Sequence, residues 1–175
     1  EEVVRGSGLS YAILRPSLIA GEGSAPLRMM VDMVRFAPLV PVIGDGRYRM
    51  QPVWLEDVAE AFAVAVERPG IEGSFDIAGQ DPLTWHEMLD IVELSLGVKR
   101  TRLAVPLNVA RFGAFAGLAP PEISPLTPDQ LQMLLEGSTT DSTALETVFG
   151  VRPRRFADVM REMCAPYAPA GRQPS

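Results

Sequence analysis

The stretch LSYAILRPSLIAGEG, residues 9–23, contains an apolar run, Tyr11–Ile19, that ends beside two glycines. Isoleucine and leucine fill this run with little polar alternation. We therefore expect a β-strand that is buried on both faces, as in a parallel sheet. Pro16 has no N–H group and removes one hydrogen bond from the ladder of this strand. The stretch predicts an α/β protein whose first strand turns away from its sheet at the proline.

Strand and helix signals alternate along the following part of the chain. Apolar residues at three- and four-residue spacing predict helices, and short apolar runs predict strands. In chain order these are a helix over 26–36, a strand over 51–55, a helix over 57–68 and a strand over 74–79. Such an order is typical of an α/β fold with a parallel sheet.

Helices dominate the rest of the sequence. Thr84 is followed three residues later by Glu87, which is the capping box that begins a helix, and Gly97 ends that helix. A second capping box begins at Thr127. Further helices are predicted over 108–117 and 155–163, followed by a flexible tail over 165–175. We expect one domain over residues 1–175, formed by part of a doubly wound sheet and a small, mostly helical subdomain.

The composition excludes several classes of function. The chain has 16 Lys and Arg residues against 22 Asp and Glu, and its net charge of −6 argues against a nucleic-acid-binding surface. One histidine, His86, and one cysteine, Cys164, cannot form a usual zinc site or an internal disulfide. No apolar run reaches the ~18 residues of a membrane span. These features predict a cytoplasmic protein with no metal site, no transmembrane segment and no nucleic-acid partner.

The strands that follow Tyr11–Ile19 are too few to complete a parallel sheet around it. A Gly-x-Gly-x-x-Gly turn for dinucleotide phosphates does not occur, because neither Gly6-x-Gly8 nor Gly21-x-Gly23 continues the pattern. We therefore expect the N-terminal, dinucleotide-binding half of the sheet to be absent from these 175 residues. The first strand would then keep an open edge, and an unpaired apolar edge can join two copies into a homodimer.

Three blocks of the sequence resemble the extended and atypical short-chain dehydrogenases/reductases. They are, in order, SGLSYAILRPSLIAGEG, GDGRYRMQPVWLEDVAEAFAVAV and GSFDIAGQDPLTWHEML. The later segments PLTPDQLQMLLEG and FGVRPRRFADVM are similar to the atypical branch that includes the NAD(P)H-binding accessory subunit of respiratory complex I and its bacterial relatives. The resemblance implies a Rossmann-like fold, bound NAD or NADP, and an oxidoreductase or epimerase/dehydratase acting on an unknown small-molecule substrate.

The catalytic pair of that superfamily does not occur in this sequence. Its members carry Tyr-x-x-x-Lys on the helix before the strand that corresponds to Tyr11–Ile19. Lysine occurs here only at Lys99, with Ser95 four residues before it, so no catalytic residue is assigned. Tyr11 and Arg15 share the spacing, but a strand separates positions four apart by ~13 Å, and arginine stays protonated. We expect the 175-residue chain to be inactive by itself.

The resemblance implies that Pro16, Ser17, Leu18 and Ile19 line the nicotinamide of the cofactor. In open α/β sheets, ligands lie beyond the carboxyl ends of the strands. Where the proline interrupts the ladder, backbone N–H and C=O groups of the next three residues would be free to bind a carboxamide. The alternative is an edge strand that proline terminates, without a ligand.

Four residues are candidates for substrate binding: Met30, Arg49, Met50 and Gln51. Relatives with nucleotide-sugar substrates often place a phosphate-binding arginine followed by an aspartate in this region. The register puts Met50 and Gln51 at those two positions, with Arg49 one residue off, which argues against a nucleotide-sugar epimerase. Met30 lies in a methionine-rich helix that suits either an apolar substrate pocket or core packing.

Three other residues receive structural rather than catalytic interpretations. Asp57 is expected to cap its helix, Trp54 to pack, and His86 to be exposed in the first turn of a helix. Besides the oxidoreductase interpretation, two alternatives stay open for the whole protein. One is a non-catalytic NAD(P)-binding scaffold or sensor, and the other is a self-associating interaction module.

Overall fold

The computed structural model describes residues 1–110, 128–141 and 143–168. Its strands are β1 (Ala12–Pro16), β2 (Ile19–Ala20), β3 (Leu39–Ile43), β4 (Arg49–Met50), β5 (Val53–Trp54), β6 (Gly73–Ile77), β7 (Leu83–Thr84) and β8 (Thr101–Val105). Its helices are α1 (Glu2–Arg5), α2 (Ala25–Phe36), α3 (Leu55–Glu67), α4 (Trp85–Leu96), α5 (Pro128–Glu136), α6 (Thr143–Thr147) and α7 (Phe156–Cys164), and a 3₁₀ turn follows at Ala165–Tyr167. Within these residues, no helix has the length and apolar character needed to cross a membrane.

Parallel strand pairs confirm the predicted α/β class. β1 pairs in parallel with β6, β2 with β5, and β3 with β8, whereas the short β4 and β7 are antiparallel. The helix α3 connects β5, which pairs with β2, to β6, which pairs with β1. The described strands therefore form four two-stranded sheets, three parallel and one antiparallel, with helices around them.

The predicted strand over Tyr11–Ile19 forms two strands that pair with different partners. β1 pairs with β6, and the chain then passes through Ser17 and Leu18 into β2, which pairs with β5. At the change, Ser17 N donates to the carbonyl of Ile77 at 2.8 Å, and Leu18 O accepts from Val53 N at 2.9 Å. The prediction of one continuous strand was therefore wrong in length, because the ladder changes partner directly after Pro16.

One face of the β1–β6 sheet is buried. Leu14, Phe75 and Ile77 pack against apolar residues of α3, of α6 and of the chain after α6. There Phe149 forms an edge-to-face pair with Phe75 at 5.2 Å between ring centroids. The opposite face carries Arg15 beside Asp76 and is exposed. The described residues thus cover one face of this sheet, and burial of both faces stays a prediction.

A second core holds α2, α4 and α7 together. Its fully buried members include Met30 and Val34 on α2, Leu89 and Val92 on α4, and Met160 on α7. The burial of these helix faces follows from their apolar residues at three- and four-residue spacing. Met30 is 1% exposed, so the core-packing alternative describes its environment.

The capping box at the start of α4 is present in full. Thr84 Oγ1 accepts from Glu87 N at 3.2 Å, and the Glu87 carboxylate accepts from Thr84 N at 2.7 Å. Gly97 ends the helix with φ 66°, a conformation in which a side chain is strained. The sequence therefore predicted both ends of this helix correctly.

The remaining helix predictions differ from the structure mainly at their ends. α2 and α7 begin within one residue of the predicted starts, whereas α3 begins two residues earlier, at Leu55. The capping residue Thr127 and most of the predicted helix 108–117 lie outside the described residues, although α5 begins directly after Thr127. Part of the predicted flexible tail, Ala165–Tyr167, forms the 3₁₀ turn, and the guanidinium of Arg35 lies 3.7 Å from the centroid of the Tyr167 ring.

Candidate functional site

The carboxyl ends of β1 and β6 meet at a buried glutamine, Gln51, which is 4% exposed. Its side-chain Nε2 donates to the carbonyl of Gly79 at 2.8 Å, and its Oε1 accepts from Thr140 N at 3.1 Å. Its backbone carbonyl accepts from the hydroxyl of Ser17 and, at 3.3 Å, from Gly79 N. We call Ser17, Gln51, Gly79 and Thr140 the Gln51 junction. It fixes the chain at the point where β1 gives way to β2.

Two backbone groups beside this junction have no hydrogen-bond partner among the described residues. They are the carbonyl of Ser17 and the N–H of Leu18. The neighbouring Ser17 N and Leu18 O are used by the sheet, so the expectation that all these groups are free was wrong for those two. Of the other two candidates, Pro16 is the last residue of β1 and Ile19 is the first residue of β2, so both belong to strand ladders. The two groups belong to the single trans peptide between Ser17 and Leu18 and point in opposite directions, so a carboxamide can bond to either of them but not to both at once.

A segment from the far end of the chain borders the junction. Ser138 N donates to the carbonyl of Arg49 at 2.9 Å, and Gln51 N donates to the carbonyl of Ser138 at 2.9 Å. The hydroxyl of Thr140 donates to the Asp76 carboxylate at 3.3 Å. Residues 137–140 thus lie alongside β4 as an added parallel bridge. Sequence reasoning missed this segment, because only its glycine gives a local signal.

The four residues proposed for substrate binding lie in three different environments. Met30 and Met50 are buried in the same core, at 1% and 8% exposure. Arg49 precedes Met50 in β4 and is exposed, while the polar atoms of the Gln51 side chain are bonded within the junction. Their roles toward a substrate stay predictions, and only Arg49 presents an exposed polar group.

No protein-family model matches the chain. The mitochondrial NADH dehydrogenase [ubiquinone] 1 alpha subcomplex subunit 9 of Arabidopsis thaliana is 30% identical over 94 residues, which are 53% of this chain and 23% of that protein. The uncharacterized protein y4nG of Sinorhizobium fredii is 26% identical over 159 residues, which are 88% of this chain and 39% of that protein. The chain therefore spans well under half the length of these curated relatives.

Solved structures extend the comparison to nearly the whole chain. The UDP-glucose 4-epimerase of Thermotoga maritima, solved with UDP-glucose, superposes with a TM-score of 0.66 at 20% identity, covering 94% of this chain and 47% of that one. The dTDP-glucose 4,6-dehydratase DesIV of Streptomyces venezuelae, solved with NAD and TYD, gives 0.66 at 22% identity, covering 95% and 46%. The fold is that of Rossmann-like epimerases and dehydratases. This chain corresponds to about half of such an epimerase/dehydratase fold, in agreement with the predicted fold class.

Within this epimerase/dehydratase fold, Asp57 has a different task from the predicted cap. The N-cap of α3 is Trp54, and Asp57 lies three positions later in its first turn. Asp57 is 6% exposed, and its Oδ2 accepts from Arg154 N at 2.9 Å, which attaches the segment before α7 to α3. Burial raises the pKa of Asp57 above its usual value, and the hydrogen bond from Arg154 opposes this effect. Trp54 is buried, as predicted.

We expect Asp57→Ala to lower the free energy of unfolding by about 1–3 kcal/mol, because it leaves the N–H of Arg154 without an acceptor. Asp57→Asn retains an acceptor oxygen and should cost less. Folding raises the pKa of Asp57, so as the pH rises the unfolded chain gives up this proton before the folded chain does. The free energy of unfolding therefore falls as the pH rises from the usual pKa of an aspartate to the raised pKa of Asp57. Urea unfolding of wild type and both variants at several pH values measures these free energies. Asparagine does not titrate, so the Asn variant should lack the decrease with pH that comes from Asp57. Equal losses for Ala and Asn would contradict the role of the hydrogen bond.

The sole histidine and the sole cysteine of the chain are both enclosed to some degree. Burial raises the pKa of the Cys164 thiol to about 11, which keeps it protonated and unreactive. His86 was expected to be exposed to solvent, but it is half-buried and bonded at both ring nitrogens to other parts of the chain. The described residues contain no group of three or more His, Cys, Asp or Glu side chains suited to hold a metal ion.

Proposed function

We propose that residues 1–175 are the C-terminal, substrate-side part of an NAD(P)-dependent oxidoreductase or epimerase/dehydratase-like protein of the short-chain dehydrogenase/reductase superfamily. Its fold, and the NAD bound in structures that share this fold, support the proposal. Within it, Pro16–Ile19 receive the nicotinamide end of the cofactor. When bound, the cofactor supplies a hydride donor or acceptor.

The observation that carries this proposal is the Ser17–Leu18 peptide, whose C=O and N–H groups have no hydrogen-bond partner among the described residues. They lie at the carboxyl end of β1, the side of an open α/β sheet where ligands bind. Gln51 binds the hydroxyl of Ser17 through its carbonyl and so restricts the orientation of this peptide. These residues would orient a carboxamide, and hence the ring that carries it. They neither donate nor accept a proton in the reaction.

The substrate is a small molecule whose identity we leave open. Met50 and Gln51 are both buried, which supports the view that they do not act as the phosphate-binding pair of a nucleotide-sugar enzyme. Arg49 is the candidate that can reach a polar substrate from the surface, next to β7. NAD and NADP are equally compatible with a carboxamide site, because the nicotinamide group is common to both.

We expect NADH at millimolar concentration to shift the amide resonance of Leu18 in the isotope-labelled 175-residue chain, together with that of Ser17. The affinity should be weak and turnover absent, because the sequence contains neither a phosphate-binding glycine turn nor Tyr-x-x-x-Lys. Two-dimensional NMR measures the shifts, and absorbance of NADH measures turnover.

Adenosine monophosphate is the matched control, because it contains no nicotinamide. It should leave the amides of Ser17 and Leu18 unchanged. Equal shifts with both ligands, or none with NADH, would reject the carboxamide site. NADH-dependent turnover by the chain alone would reject the proposal that it holds no catalytic group.

A second candidate is a non-catalytic NAD(P)-binding scaffold or sensor. Its support is the 30% identity to a protein named as a subunit of NADH dehydrogenase, over 94 residues. The two candidates predict the same carboxamide site and differ in the whole protein. An intact Tyr-x-x-x-Lys motif there favours the oxidoreductase, and its loss favours the scaffold. Self-association is a third candidate, through the edge of β1 that has no strand partner among the described residues, and size-exclusion chromatography would detect it.

A further inference from the structure

His86 connects α4 to the turn before β4 and to β8. It lies in the first turn of α4, and its Nε2 is 3.1 Å from the carbonyl oxygen of Asp45 in the Gly44–Gly46 turn. Its Nδ1 is 2.8 Å from Nη1 of Arg102 in β8. A Cβ at Gly46 would lie 2.7 Å from the same Nε2, so the ring rests directly on the turn. The imidazole is therefore the connection between the turn and the β8 guanidinium.

These two contacts fix the protonation state of the ring. A guanidinium can only donate, so Nδ1 of His86 must accept from Arg102. Nε2 therefore carries the hydrogen and donates it to the carbonyl of Asp45. The arrangement requires neutral imidazole in a single tautomer, because a protonated ring has donors at both nitrogens.

Other charged groups hold Arg102 in place. Its Nη2 donates to Oδ1 of Asp90 at 2.6 Å and lies 3.6 Å from the buried carboxylate of Glu93. Lys99 lies 3.3 Å from Asp90 and 3.0 Å from Glu93. On α4 itself, Glu87 is engaged with the capping residue and Asp90 lies four residues after His86, on the same helix face. The carboxylate of Asp45 accepts from Arg47 N at 3.0 Å.

We propose that protonation of His86 separates the Gly44–Gly46 turn from α4. A protonated ring would direct a second N–H, and a positive charge, at the guanidinium of Arg102. Because two carboxylates retain Arg102, the imidazole moves instead, and Asp90 at the i+4 position attracts it along α4. The contact with the carbonyl of Asp45 is lost in that movement. The chain between Gly46 and β4 would then be less restrained, directly before Arg49.

The inference goes beyond the proposed function and needs no cofactor for its test. Because the chain has one histidine, a single imidazole C2–H resonance reports its protonation. Hydrogen exchange by NMR, corrected for the intrinsic pH dependence, gives the protection factors of the Gly46 and Arg47 amides. Over the pH range in which the C2–H resonance shifts, these factors should fall by roughly two- to fivefold in step with it.

Two variants separate the proposal from a general effect of acid. His86→Gln has no titrating ring, and its protection factors at Gly46 and Arg47 should stay constant over the same range. Arg102→Gln keeps the imidazole but removes the positive charge that opposes its protonation. In this variant His86 should become protonated without a decrease in the protection factors of Gly46 and Arg47. If wild type shows complete imidazole titration with unchanged protection, or if either variant repeats the wild-type decrease, the proposal is wrong.

Discussion

Gly79→Ala is expected to lower the free energy of unfolding by about 3 kcal/mol or more, the upper end of the usual cost of overpacking. A Cβ at Gly79 would lie 1.8 Å from the carbonyl oxygen of Pro52, and 2.8 Å from its carbonyl carbon. Both atoms belong to the backbone, so no side-chain rotation relieves the contact. The backbone of Gly79 is not in the left-handed region, and the whole effect therefore comes from close approach. Urea unfolding measures it.

The same substitution should disturb the proposed carboxamide site. Gly79 receives the side-chain amide of Gln51 and donates its own N–H to the Gln51 carbonyl. Displacing Gly79 from Pro52 moves both contacts and releases the hydroxyl of Ser17 from its acceptor. We expect the NADH-induced shift at Leu18 to disappear in Gly79→Ala under conditions where the variant is still folded.

Gly6→Ala is a suitable control for this experiment. Gly6 has φ −81°, so it also lacks positive-φ strain, and a Cβ there would approach backbone oxygen no closer than 3.2 Å. Its effect should stay within about 0.5 kcal/mol, as for most surface substitutions. A comparable loss at both positions would show that removing a glycine, rather than the contact with Pro52, determines the result.

The parts of the fold that the sequence predicts correctly depend on local rules. The capping box Thr84–Glu87 and the C-terminal Gly97 determine the ends of α4, and both signals lie within or directly beside the helix. The apolar spacing in α2 likewise predicts its buried face. Such signals need no knowledge of the tertiary partners, and this is why both helices were found.

The features that the sequence did not predict depend on partners far along the chain. Asp57 accepts from Arg154, 97 residues away, and Gln51 accepts from Thr140, 89 residues away. His86 contacts a carbonyl that is 41 residues distant. A residue's type indicates that it needs a partner, but it does not say which distant peptide supplies one. Asp57 was therefore assigned as a cap and His86 as exposed.

The candidate site depends partly on a local sequence signal and partly on partners far along the chain. Pro16 marks locally the place where β1 loses a ladder hydrogen bond, and the structure does change strand partner immediately after it. Which groups stay without a partner depends on β5 and β6, which use Leu18 O and Ser17 N. The sequence thus indicates the position of the site, whereas the identity of the available donor and acceptor follows only from the assembled sheet.

Gly137→Ala should lower the free energy of unfolding by about 2–5 kcal/mol, the sum of left-handed strain of about 1–2 kcal/mol and an overpacking cost of about 1–3 kcal/mol. Gly137 has φ +74°, and a Cβ there would lie 2.4 Å from the carbonyl oxygen of Arg49. That oxygen also accepts the N–H of Ser138, so a shift that relieves the contact weakens the bridge to β4. The segment that borders the Gln51 junction should loosen with it.

Gly150 offers a matched control because it has the same φ of +74° but open space around the position of a Cβ. Gly150→Ala should therefore show the strain alone, about 1–2 kcal/mol. Gly79→Ala shows the cost of close approach alone. The loss in the free energy of unfolding should therefore be larger for Gly137→Ala than for Gly150→Ala, and the difference is the cost of the contact with Arg49. Equal unfolding free energies for the Gly137 and Gly150 variants would mean that residues 137–140 can move away from Arg49 at no cost. The bridge beside β4 would then not restrain Gln51, and the site would depend on the strand ends alone.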